Sequence, residues 1–174
     1  FHPTEGESTF SAWVDFVVAR GGEWPTRYGV RVGGAQLPGL TESAFCEGLS
    51  RVILVASESS PVVEGAVRAL RGHGIEVYWE YALGVGAPVD PALLDGIVVR
   101  GYETGGISRS ASVRTLFSAA RAAFPEMPVM VQGIESPEMA AVFLLLGAAG
   151  VILDASLSFG EAFAGGPGVS PYQP

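Results

Sequence analysis

The chain has 174 residues, of which ten are arginine and none is lysine, and it carries a net charge of −8. So acidic a chain lacks the basic face that nucleic acid requires, and the absence of lysine excludes a Schiff-base amine and a Walker-type phosphate lysine. Hydrophobic residues make up 48% of the sequence and mean hydropathy is +0.36, which is ample material for one domain with one core.

The longest uncharged run, Met139 to Leu153, is shorter than the roughly 18–20 residues of a membrane span, and Gly147-Ala-Ala-Gly150 divides it into helix, turn and strand. The amino end is polar and acidic, unlike a signal peptide. The lone Cys46 excludes an internal disulfide and a cysteine metal cluster. The expected location is therefore the cytoplasm, with no membrane and no nucleic acid among the partners. The chain opens on Phe1 rather than Met, as a processed or excised segment would.

In chain order, residues 1–27 read as an amino-terminal helical segment. Phe10, Trp13, Val14, Phe16, Val17 and Val18 predict a helix from about Ser8 to Arg20, ended by Gly21-Gly22. Tyr28 to Val32 alternates and predicts a short strand. Residues 35–50 read as loop, with one short helix around Glu42 to Gly48. A regular rhythm begins at Arg51. Strands are predicted over Val52–Ala56, Glu76–Glu80, Gly96–Val99, Pro128–Gln132 and Gly150–Asp154. Helices are predicted over Pro61–Arg71, Ser112–Phe124 and Pro137–Leu146, with a short helical connection at Pro91–Leu94. On the first of these helices Val63, Ala66, Val67 and Leu70 share one face, and on the second Val113, Leu116, Phe117, Ala120 and Ala123 do so. The alternation is that of βαβ units in a parallel sheet. It fits either an open doubly wound sheet or a (β/α) barrel. Six strands fall short of the eight of a complete barrel, so the barrel reading is of an incomplete one. The tail from Ser156 is rich in glycine and proline, and residues 161–174 read as a linker.

The most informative stretch is Asp95 to Gly106. Ile97-Val-Val99 is a run too short for a helix, as in a strand buried on both faces. Arg100 breaks it, and glycines follow at 101, 105 and 106 before the next helix. Such a loop is either a mere tight turn or a ligand loop, since parallel α/β folds bind ligands at the carboxyl ends of their strands. Polar or small residues follow the other strands too: Ser57-Glu-Ser-Ser60, Glu80-Tyr81, Gln132-Gly133 and Asp154-Ala-Ser156. Glu103 is a candidate general base, although accepting from the amides of its own loop is the commoner role for such a residue. His2 and His73 are poor catalytic candidates, and no Ser/His/Asp set or metal-ligand spacing is legible. Gly84-Val-Gly86 lacks the third glycine and the helix start of a nucleotide fingerprint.

Val99-Arg-Gly-Tyr-Glu-Thr-Gly-Gly106, Val131-Gln-Gly-Ile134 and Gly147-Ala-Ala-Gly-Val-Ile-Leu-Asp154 together resemble three successive signatures of the nitronate monooxygenase family, which also contains barrel-type enoyl reductases. The third signature most resembles versions fused into bacterial polyketide and polyunsaturated fatty acid synthases. The resemblance covers about residues 28–160 and implies an FMN-binding TIM barrel. The cofactor-binding residues it implies are Gly101, Gly105, Gly106, Gln132, Gly133, Ala155 and Ser156. Three positions depart from the family pattern. Ile107 stands where the family has a catalytic histidine, Gln132 replaces one of two adjacent glycines, and Asp154-Ala155 replaces Gly-Thr. The family's first strand has no match.

Three readings follow. One is an FMN-dependent oxidoreductase domain of a synthase, acting on a small-molecule substrate. The second is a degenerate, non-catalytic domain that docks neighbouring synthase domains, a carrier protein or another copy of itself over its open sheet edges. The third is an open-sheet module binding another phosphorylated small molecule.

Overall fold

The computed structural model describes residues 28–41, 48–55, 59–101, 111–134 and 136–152. The predicted helix over Ser8–Arg20 and the tail from Ser156 lie outside this set. The chain divides into two compact units, one containing the residues up to Glu80 together with Gly84–Gly96, the other Tyr81–Leu83 and the residues from Ile97 onward.

In the first unit, strands β1 (Tyr28–Gly33), β2 (Leu49–Val55) and β3 (Glu76–Tyr81) pair in parallel and in chain order. A 3-10 turn, Gly34–Gln36, and a short helix α1 (Leu37–Thr41) follow β1. They occupy residues expected to be loop. Leu37 and Leu40, three apart, are both wholly buried, and burying that pair outweighs the poor helix propensity of the Pro38-Gly39 between them. The helix expected around Glu42–Gly48 lies mostly outside the described residues. Helix α2 (Pro61–Gly72) starts with Ser60 accepting from the Val62 amide at 3.3 Å and Pro61 in the first turn. It buries Val63, Ala66, Val67 and Leu70, as its spacing predicts. The register alternates cleanly. Val30, Val32, Val52, Leu54, Val77 and Trp79 share the buried face, and Arg31, Ile53 and Tyr78 lie on the other.

In the second unit, β4 (Gly96–Arg100), β5 (Val129–Gln132) and β6 (Gly150–Ile152) also pair in parallel and in chain order. Ile97, Val98 and Val99 are all wholly buried, as a doubly covered strand requires. Helix α3 (Val113–Ala123) packs on β5 and helix α4 (Pro137–Leu145) on β6. Serines 112 and 136 cap them, accepting from Thr115 N at 3.2 Å and Met139 N at 3.3 Å. Phe117 meets Phe143 edge to face, 5.5 Å between ring centres. Ala123, placed on the inner face by spacing, is exposed because the helix ends there.

Sheet order that follows chain order, without the reversal of a doubly wound sheet, is the pattern of a (β/α) barrel. No helix among the described residues is long and apolar enough to cross a membrane.

Gly147 turns the chain from α4 into β6 with φ at +90°. An added Cβ would stand 2.6 Å from Nη1 of Arg121, which itself donates to the Gly147 carbonyl. The exposed arginine can swing aside, but the backbone strain stays. Gly147→Ala is therefore expected to cost about 1–2 kcal/mol. A thermal melt checks it, and an unchanged midpoint would show that this turn relaxes freely.

Candidate functional site

The second unit brings together three of the residues that the sequence singles out. Arg100 and Gln132 end β4 and β5 as register partners, so Gly101 and Gly133 follow at matching positions on neighbouring strands. Both glycines are buried. Gly133 has φ +88°, where side chains are strained, and its amide donates to the Ile152 carbonyl at 3.2 Å. That amide therefore serves the sheet, and Gly133 offers a ligand close approach rather than a free N–H. Ile134 behind it is wholly buried and fixes the turn. Arg100 and Gln132 are half-buried, with Nε of the first and Oε1 of the second shielded from solvent. Two side-chain-free positions beside a guanidinium and a carboxamide fit a phosphorylated ligand lying against the backbone.

Glu103, Gly105, Gly106, Ala155 and Ser156 lie outside the described residues, as do Ile107 and Asp154. Glu138 opens α4, its carboxyl held below the usual range by its own backbone amide and the Ser136 hydroxyl. Among the described residues no group of three or more His, Cys, Asp or Glu is placed to hold a metal.

The first unit holds a feature that sequence reasoning missed. Glu80, the last residue of the predicted strand and grouped there with the polar strand ends, lies within β3, and it is the one buried charged residue among those described. Its side chain is 0% exposed and accepts two hydrogen bonds from Arg31, from Nε and, at 2.9 Å, from Nη2. The pair spans β1 to β3 across Ile53 on the sheet face opposite Trp79. The available signal was Arg31 amid the small and β-branched residues of β1. Nearer the amino ends, Arg51 donates to Glu76 at 2.7 Å and lies 5.4 Å from the Tyr78 ring centre. Burial, then the Glu76 charge, push the Tyr78 phenol up. The bond to Glu76 does most to raise the Arg51 guanidinium. His73, exposed after α2, only ends that helix, its amide donating to Leu70 O at 3.0 Å.

No protein-family model matches the chain. No curated protein matches it either. Among solved structures it is similar in fold to a FabK mutant from Thermotoga maritima, with a TM-score of 0.59 and 18% identity over 81% of this chain and 47% of that one. The Moco carrier protein from Chlamydomonas reinhardtii also aligns, over 76% of this chain and 91% of that one, at 17% identity and a TM-score of 0.23. The chain thus spans about half the length of FabK, a TIM barrel, and its fold is an incomplete parallel (β/α) barrel.

Proposed function

We propose that the chain is an FMN-dependent oxidoreductase-like domain of nitronate monooxygenase or enoyl reductase type, belonging to a multidomain polyketide or fatty acid synthase and resident in the cytoplasm. The observation that carries this reading is the chain-ordered parallel strands ending in Gly101 and Gly133, in a fold similar to that of FabK. The likeness supports the coarser part of the proposal, an enoyl reductase-like fold of the FMN type. The synthase setting rests on the Leu153-Asp-Ala-Ser-Leu157 resemblance alone.

When bound, FMN would supply hydride or oxygen chemistry. In this proposal Gly101 and Gly133 let it approach the backbone, Gln132 gives polar contacts, and Gly105, Gly106, Ala155 and Ser156 form the remaining cradle. Glu103 is the candidate base for a substrate proton.

The test is the near-ultraviolet and visible spectrum of the purified chain before and after adding FMN. Flavin bands that survive gel filtration are the expected outcome. A colourless protein that leaves added FMN in the salt volume would sink the reading.

A second reading, a non-catalytic docking domain, is favoured by a separate observation. Met139, Val142, Leu144 and Leu145 of α4 and the following Leu146 are all exposed, Leu145 by 88%. So apolar a helix surface marks an interaction site. A neighbouring synthase domain, a carrier protein or a second copy would cover it. A clean monomer that retains FMN would speak against this reading.

A further inference from the structure

Helices α2 and α3 carry charge on the side away from the core. On α2 Arg68 pairs with Glu64 at 2.7 Å, and on α3 Arg114 and Arg121 are exposed. Helix α4 does not follow them. Glu138 is its single ionisable residue, and apolar side chains lie all round it. A helix of that kind is stable when it is covered on more than one side. Phe143 covers one side by packing on Phe117 of α3. Met139, Val142 and the following Leu146 are exposed and recur at three- and four-residue spacing, with Leu145 beside them. That is the spacing of a seam between two helices.

The two ends of the seam carry opposite charges. Glu138 is exposed at the start of α4, and its own amide and the Ser136 hydroxyl favour its ionised form. At the other end the exposed Arg121 guanidinium donates to the Gly147 carbonyl at 2.6 Å. An antiparallel pair of α4 helices, with its two-fold axis beside Val142, sets Met139 of each copy against Leu146 of the other. The same alignment brings Glu138 level with the other copy's Gly147, where Arg121 stands. The surface is complementary to itself in apolar contact and in charge, as an isologous interface requires.

We infer that the α4 face is a homodimer interface, on which a second copy of this chain packs its own α4 antiparallel, with an ion pair from Glu138 to Arg121 at each end. This deepens the interaction-site reading of α4 by naming the occupant, and it does not depend on flavin. The residues after Ile152 fit the face less well, because they include Asp154 and Glu161 but no basic residue to meet Glu138. A net charge of −8 per copy opposes association at low salt. At about 0.15 M salt the screening length is roughly 8 Å, so that repulsion is damped and the contacts at the seam decide.

The test is sedimentation equilibrium of the purified chain over a concentration series at that salt. A monomer–dimer equilibrium is expected. Val142→Glu sets two carboxylates face to face at the axis and should weaken the dimer at least about a hundredfold. Glu138→Arg and Arg121→Glu each place like charges at both ends of the seam. Each should weaken the dimer about tenfold, and the double variant should recover the wild-type constant. Both side chains also make local bonds, so thermal melts of the same variants show that each is folded. A chain that stays monomeric at every concentration overturns the inference, as does a dimer that Val142→Glu leaves intact. Single reversals that the double variant fails to rescue overturn the antiparallel pairing. The apolar-surface dye ANS separates this failure from that of the broader reading. A monomer whose ANS fluorescence falls in Val142→Glu keeps α4 as a face for a different domain, whereas a monomer without that fluorescence loses the interaction site as well.

Discussion

Arg31→Met is expected to lower the stability of the chain by about 3–5 kcal/mol, the range for breaking a buried ion pair from one side. Glu80 is wholly shielded and takes two hydrogen bonds from that guanidinium. Methionine fills much of the arginine's volume, so lost packing contributes little. What remains is a carboxylate that has lost its bidentate partner in a place water does not reach. The charges as such need not stabilise the fold, because an apolar pair of similar size often does as well. The double variant Arg31→Met, Glu80→Leu should therefore recover most of the loss. Urea unfolding of wild type, both single variants and the double variant measures this. A single-variant loss under about 1 kcal/mol would place the pair in the class of solvated surface bridges.

Trp79→Ala carries the second large effect, about 3–5 kcal/mol from lost transfer energy plus the cavity left behind. Among the described residues Trp79 is the largest wholly buried side chain, and it sits opposite Leu54 on the buried face of the sheet. Trp79→Phe keeps an aromatic ring in the same place and is expected to cost clearly less. Chemical denaturation followed by far-ultraviolet circular dichroism separates the two. Equal losses in both would mean that the indole N–H, rather than its bulk, matters at this position.

Much of the fold is legible because it rests on local patterns. The apolar run at 97–99, the spacing of Val63, Ala66, Val67 and Leu70, and Pro61 and Pro137 in first helical turns each report their element without any tertiary contact. Leu37–Thr41 was not legible, because Pro38 and Gly39 argue for a loop and only the burial of Leu37 and Leu40 makes the helix worthwhile. The burial of Glu80 against Arg31 was not legible for a related reason. A carboxylate at the end of a strand pattern normally meets water, and its partner Arg31 is 49 residues away in sequence.

The candidate site divides in the same way. Glycines at 101 and 133 are visible in sequence, since loops that hold the backbone close to a ligand need them. That Gly133 spends its amide on Ile152 was not visible, because it depends on how β6 lies against β5. The partnership of Arg100 with Gln132 likewise depends on register, which no local pattern states.

Sheet order that follows chain order has a consequence for how the polypeptide is made. Within each unit every new strand docks on the one synthesised just before it. Loop closures stay short and their entropic cost stays low. A sheet with reversed order must leave an edge waiting until a distant segment emerges. Here each βα step is able to settle as it leaves the ribosome, so the apolar strand surfaces spend little time uncovered in the nascent chain.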